Sequence, residues 1–242
     1  MPIALRWLRS LVFIIQMYLA MALLALAFAI PAILSRAMAF VAVHAFCAWV
    51  RFTAAVLLGL RSEIRGPVPQ GEVIIAAKHQ SFFDIILLGS ALPRPKFIMK
   101  RELIWAPFLG QYALRIGCIP VDRGKRGAAI AKMKEDVQKG TALPGQLVIY
   151  PQGTRVAPGE TKPYKHGTGL LYDQLGQTCV PAATNVGVFW PKRGIMRQPG
   201  LAVLQFLPAI EPGLSVPDFM ARIEVEVETA ALALMREAGW TG

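Results

Sequence analysis

The chain has 242 residues, with 26 Lys and Arg against 15 Asp and Glu, a net charge of +11 and an apolar fraction of 55%. That length suits one large domain, or a domain with a small appendage, and the apolar fraction exceeds the soluble norm. Such a charge suits nucleic acid, an anionic bilayer or a phosphorylated substrate. The apolar excess gathers at the front of the chain, and no basic stripe interleaved with aromatics is present, so a membrane is expected and nucleic acid is not. Cys47, Cys118 and Cys179 are widely spaced and odd in number. They form neither a metal-ligand pattern nor a disulfide framework, which points to packing roles in a reducing compartment, and no metal site is expected.

Residues 1–60 contain no Asp or Glu; their charges are Arg6, Arg9, Arg36 and Arg51. Residues 11–34 carry no charge, a length that can cross a bilayer, and a second apolar run follows from Ala37 to Leu60. The break at Ser35-Arg36 leaves no room for a loop, so the spacing predicts a membrane-associated helical hairpin over 1–60 with both ends on one side. Arg6 and Arg9 at one end, with Arg61 and Arg65 at the other, assign that side to the cytoplasm. Arg36 at the tip favours a hairpin dipped into one leaflet over a double crossing. Ala27-Phe28-Ala29 has the look of a signal-peptide cleavage site, but the apolar sequence runs on well past it.

Residues 61–242 read as an α/β domain. Strands are predicted at Val73–Ala77, Lys96–Met99, around Cys118–Val121, and at Leu147–Tyr150, Val180–Val186 and Leu201–Phe206. Helices are predicted at Ser81–Leu92, Phe108–Ile116 and Gly127–Lys139. Ser215 opens a last helix, with Pro217 in its first turn and Asp218 in capping-box position. The alternation Glu224-Val225-Glu226-Val227-Glu228 is strand-like and competes with that helix. Strands alternating with helices imply a largely parallel sheet flanked by helices.

The chemistry gathers at strand ends. His79 follows the apolar run ending at Ala77, in Lys78-His79-Gln80-Ser81-Phe82-Phe83-Asp84, where open α/β sheets bind ligands. If the turn folds its ring toward Asp84, the carboxylate fixes the tautomer and leaves the other nitrogen as a base. Ser81-x-x-Asp84 equally fits a capping box with no catalytic meaning. Arg123, in Gly117–Gly124, and Arg155, in Tyr150-Pro151-Gln152-Gly153-Thr154-Arg155, lie beyond two further strands on the same sheet edge. Together they would make a bidentate phosphate clamp, with Gly153 and Thr154 adding donors. Lys100, Arg101, Lys162 and Lys165 strengthen the positive field.

These blocks, in this order, resemble those of the glycerolipid acyltransferases, specifically the 1-acyl-sn-glycerol-3-phosphate (lysophosphatidate) acyltransferase family. His79 to Asp84 matches the family's H-x-x-x-x-D signature, and Gly117 to Arg123 is similar to its second block. Pro151 to Arg155 is similar to the third block, usually Pro-Glu-Gly-Thr-Arg, and Val180-Pro181-Ala182 to the fourth. The resemblance spans about residues 70–190, and the apolar two-helix front is also similar to bacterial members. It implies a glycerol-3-phosphate acyltransferase-like fold at the inner (cytoplasmic) membrane, with the catalytic domain facing the cytoplasm. It further implies acyl transfer from acyl-CoA or acyl carrier protein to the sn-2 hydroxyl of lysophosphatidate, making phosphatidate, with no cofactor. His79 and Asp84 would be catalytic, Arg123, Arg155 and Lys100 would bind the phosphate, and Gln152, Gly153 and Thr154 would position the acceptor. Two departures stand out: Gln152 replaces the usual Glu, and Lys78 the frequent Asn. They leave open another acceptor, a lyso-aminolipid or glycerol-3-phosphate, or a lipid-binding membrane protein without catalysis.

Overall fold

The computed structural model describes residues 2–121 and 144–242. The chain begins with three apolar helices: α1 (Ile3–Ala27), α2 (Ala29–Leu34) and α3 (Arg36–Thr53), the last continued by one π turn (Ala54–Leu58). Pro31 has no N–H to give the Ala27 carbonyl, and the helix breaks there between α1 and α2. Extended Ser35 then reverses the chain into α3. Gly59, at φ 68°, ends the run in the left-handed conformation and returns its N–H to Ala55. The expected hairpin is present.

The domain that follows contains β1 (Leu60–Arg65), β2 (Ile74–Ala77), α4 (Phe83–Ala91), β3 (Pro95–Lys100), α5 (Leu109–Arg115), β4 (Ile119–Val121) and β5 (Gln146–Ile149). It continues with α6 (Gly167–Leu175), β6 (Cys179–Thr184), β7 (Gly200–Phe206) and α7 (Val216–Glu237). The described strands form one seven-stranded sheet in the order β1-β7-β6-β2-β5-β3-β4. Every pairing is parallel except β6 with β7. The helix expected at Gly127–Lys139 lies outside the described residues.

Alternation along β2 fixes the two layers. Ile75 and Ala77 join Phe13 and Met17 of α1, Cys47 and Val50 of α3, and Phe83 and Leu87 of α4 in one core. Ile74 and Ala76 face the opposite way, toward Leu171 and Tyr172 of α6 and Phe219, Ile223 and Val227 of α7. The hairpin helices therefore share a core with the sheet. Phe13 is fully buried and meets Trp190 edge-on at 5.4 Å between ring centroids.

Polar contacts hold the hairpin along its length. Arg6 Nη1 donates to Gln198 Oε1 at 2.6 Å, and Arg197 N to Ser10 Oγ at 3.0 Å. Toward the tip, Tyr112 Oη donates to the Ala25 carbonyl at 2.8 Å. Arg115 donates to the carbonyls of Ala32 and Ile33 at 2.8 and 2.7 Å, groups that a helix end leaves without intrahelical partners. The outward face of these helices carries exposed Ile15, Leu19, Leu23, Leu26, Ile30 and Ile33.

One expectation needed correction, and one competition resolves in favour of the expected last helix. The strand placed at Val180–Val186 ends at Thr184, because Asn185 turns the chain, accepting from Val203 N and donating to the carbonyls of Leu201 and Leu234. The alternating acids 224–228 lie in α7, where Phe219, Ile223, Val227 and Ala231 recur every four residues on the buried face. Ser215 caps that helix, its Oγ accepting from Asp218 N.

Candidate active site

Strands β6, β2 and β5 are adjacent and parallel, so the segments leaving their carboxyl ends converge on one edge. The chain leaves β2 through Lys78–Phe82 and enters α4. Within this turn His79 Nδ1 and Asp84 Oδ2 are 2.8 Å apart. The same oxygen accepts from Gln80 N at 2.7 Å and Ser81 N at 2.9 Å. Asp84 is fully buried, while His79 keeps 13% of its side chain exposed. Capping and pairing, posed as alternatives from the sequence, coexist, with the acid rather than the serine in the central place. The helix starts at Phe83, later than expected, and Ser81 Oγ accepts from Phe83 N instead of Asp84 N.

The His79 ring lies flat on Tyr150 at the end of β5, with centroids 3.9 Å apart and planes 17° apart. Burial, then the charge of Asp84, pushes the Tyr150 phenol well above its ordinary range, so it stays neutral. Beyond Tyr150 the chain turns through Gly153, at φ 66°, whose N–H returns to the Tyr150 carbonyl. A side chain at 153 would lie 2.5 Å from Lys165 Nζ, so the ammonium crosses directly over this turn. Val156 N donates to the His79 carbonyl at 2.8 Å, tying the Arg155 segment to the histidine turn.

The sequence-predicted phosphate ligands are placed unevenly. Arg155 is half-buried and donates to the Lys192 carbonyl at 3.3 Å, while Lys192 Nζ returns a bond to the Arg155 carbonyl. Lys100 ends β3, two strands from β2, and pairs with Glu102 at 2.8 Å. Arg123 lies outside the described residues. Gln152 is buried, with its amide donating to Glu228 Oε1 at 3.3 Å and the Lys162 carbonyl at 3.4 Å. Thr154 sits half-buried in the turn beside Gly153.

Sequence reasoning missed Tyr150, Tyr164 and Glu228 as site residues. Lys78 was noted only as a departure, although its nearly buried ammonium meets both Glu228 oxygens at 2.7 and 2.6 Å. The one signal in the sequence was a lysine in an apolar strand end, which demands a distant acid. An apolar cavity of about 120 Å³ is lined by Phe82 of the histidine turn, Ile86 of α4, Leu24 of α1, Phe46 of α3 and Tyr112 of α5. Cys118 also lines it; burial pushes this thiol up to about 11, and Cys179 up to about 12. Neither is a nucleophile near neutral pH.

An acyltransferase family model matches residues 60–185, which hold the His79–Asp84 turn and the Pro151–Arg155 turn. The chain belongs to the acyltransferase family. Among curated relatives, this acyltransferase is 27% identical over 194 residues to 1-acyl-sn-glycerol-3-phosphate acyltransferase of Pseudomonas aeruginosa, covering 78% of this chain and 76% of the relative. It is 29% identical over 195 residues to 1-acyl-sn-glycerol-3-phosphate acyltransferase alpha of Mus musculus, covering 78% and 68%. Its fold matches the crystal structure of the 1-acyl-sn-glycerophosphate (LPA) acyltransferase, PlsC, from Thermotoga maritima, with a TM-score of 0.78 at 18% identity. That match covers 95% of this chain and 98% of the other, so the hairpin of this acyltransferase is part of the shared fold.

Proposed function

We propose that this acyltransferase moves a fatty acyl group from acyl-CoA or acyl carrier protein to the sn-2 hydroxyl of lysophosphatidate, yielding phosphatidate. The observation that carries the reading is the His79–Asp84 pair at 2.8 Å, held on the sheet edge in a turn whose Phe82 lines an apolar cavity. The names of the relatives supply the acceptor. With Nδ1–H donated to Asp84, the His79 Nε2 lone pair removes the hydroxyl proton as the oxygen attacks the thioester carbonyl. Collapse of the tetrahedral adduct breaks the C–S bond, and the imidazolium returns its proton to the departing thiolate. The thioester is already activated, so the reaction asks for no metal, redox cofactor or enzyme nucleophile.

Arg155 and Arg123 hold the acceptor phosphate, Lys100 adds to the positive field from the end of β3, and Gly153 and Thr154 offer donors at the turn. Gln152 positions the acceptor side through that same turn. The apolar cavity lined by Phe82, three residues from the base, takes up part of the acyl chain. The hairpin rests in one leaflet of the cytoplasmic membrane with the catalytic domain toward the cytoplasm. Its start and tip are hydrogen-bonded to the domain, so it lies beside that domain rather than projecting from it.

The test is acyl transfer on washed membranes, with labelled lysophosphatidate and either thioester, beside His79→Ala. Loss of a general base lowers turnover by about 100-fold or more. Labelled phosphatidate from the wild type alone supports the reading. Equal turnover by the variant removes His79 as base, and product only from a lyso-aminolipid removes the phosphate clamp.

A further inference from the structure

The two departures from the family pattern, Lys78 and Gln152, meet at one carboxylate. Glu228 of α7 accepts from Lys78 Nζ on both oxygens, at 2.7 and 2.6 Å. Its Oε1 also accepts from Tyr164 Oη at 2.9 Å and Gln152 Nε2 at 3.3 Å. Lys78 and Gln152 are each only 3% exposed. A buried ammonium needs a charged partner, and Glu228 is placed to be it.

We infer that Glu228 is a positioning residue for both active-site turns, and that its presence is the reason residue 152 is an amide. Lys78 immediately precedes His79, and Gln152 immediately precedes the Gly153-Thr154-Arg155 turn. One carboxylate thus grips the base-bearing turn and the phosphate-binding turn together. On the other side of His79, Gln80 accepts from Gly187 N at 2.9 Å and donates to Met235 Sδ at 3.3 Å. Glu228 and Met235 are seven residues apart, two turns of α7, and so share a face. His79 is therefore backed on both flanks by one stripe of the last helix.

Among the groups hydrogen-bonded to Glu228, one carries charge and two are neutral. Lys78 brings one positive charge, Glu228 one negative charge, and Tyr164 and Gln152 bring neutral donors. Burial and the adjacent Glu228 push the Tyr164 hydroxyl upward, so it remains a donor, and Glu224 lies one turn back on α7. A carboxylate at 152 could not donate to Glu228 and would place two acids beside one ammonium. In this chain the negative charge facing Lys78 comes from Glu228.

The inference deepens the acyl-transfer reading and rests on it for its activity arm. The test compares wild type, Gln152→Glu, Glu228→Gln and the double variant, by initial rates of lysophosphatidate acylation from pH 6 to 9 and by thermal unfolding. Each single variant should lose about tenfold or more in turnover, and the double variant should recover most of it, because Glu at 152 then faces Lys78 and the amide at 228 donates. In Gln152→Glu the two acids share a proton at low pH and lose it as pH rises. Its rate relative to wild type should therefore fall with pH, a signature that simple loss of packing would not give. Additive losses in the double variant, or a flat ratio across pH, would overturn the proposal. If Glu228→Gln fails to fold, a double variant no faster than Gln152→Glu overturns it instead. The unfolding midpoints form the same cycle without substrate, so a wild type inactive on lysophosphatidate refutes the acceptor while the Glu228 pairing is still tested.

Discussion

Asp84→Asn separates the charge of the acid from its shape. In the wild type one oxygen, Oδ2, takes His79 Nδ1 and the N–H groups of Gln80 and Ser81. The other oxygen is buried with no hydrogen-bond partner among the described residues, so an asparagine NH₂ there breaks no bond but is a buried donor without an acceptor. The turn can thus survive while the negative charge is lost. When His79 becomes imidazolium, its charge lies about 4 Å from the carboxylate charge, an attraction of about 4 kcal/mol at an effective dielectric near 20. Removing it from the transition state alone lowers kcat by about a thousandfold. Three charge-assisted hydrogen bonds become neutral ones, at about 1 kcal/mol each, so stability falls by about 3 kcal/mol. The assay is single-turnover acyl transfer at saturating acceptor, with KM and unfolding midpoint measured beside it. KM should stay near wild type, because the phosphate is held elsewhere. His79→Ala/Asp84→Asn should be no slower than His79→Ala, since the acid acts through the ring. A folded Asp84→Asn within tenfold of wild-type kcat would refute the argument.

Other perturbations probe separate parts of the structure. Arg155→Ala should raise KM for the phosphorylated acceptor by about tenfold or more, with kcat less affected, because a charge-assisted bond to phosphate is lost; an unchanged KM moves the phosphate site. Phe13→Ala removes a fully buried ring from the shared core and should destabilise by about 3–5 kcal/mol, read as a lower unfolding midpoint in detergent. The phenols of Tyr150 and Tyr164 are both held above the ordinary value of 10.0 in the folded chain, by burial first and then by Asp84 and Glu228. Below that value both states are protonated and nothing changes. As pH rises through it only the unfolded chain releases protons, so stability should fall from about pH 10 upward. Tyr150→Phe/Tyr164→Phe should flatten that fall in unfolding midpoints measured from pH 8 to 11.

Much of the sheet was legible because its strands are short apolar runs: Ile74–Ala77 and Gln146–Ile149 lie where Val73–Ala77 and Leu147–Tyr150 were expected. The strand β1 was not, since Leu60–Arg65 carries Arg61, Glu63 and Arg65 on an edge that pairs only with β7. Polar edge strands give no run to read. In α7 the acids at 224, 226 and 228 imitate strand period, and only burial of every fourth residue shows the helix. Within the site, His79 and Asp84 were legible because a turn joins them within five residues. Glu228 was not, because it lies 150 residues from Lys78 and only the packing of α7 on the sheet brings them together. Gln152 read as a lost acid until its partner came into view.

The shared core also constrains how the chain is made. Phe13 and Met17 occupy the same layer as Ile75, Ala77 and Val148, so a chain trimmed of its first helices would leave part of that sheet face, and the α4 residues on it, uncovered. Such a truncation should precipitate rather than yield a smaller soluble enzyme. During synthesis the greasy helices leave the ribosome before the strands and must wait for roughly a hundred residues more before the sheet exists to receive them. A lipid surface, or a chaperone in its stead, is the natural place to wait. The helix that backs the histidine follows every described strand in the chain, so the catalytic turn is braced only after the sheet strands have been made.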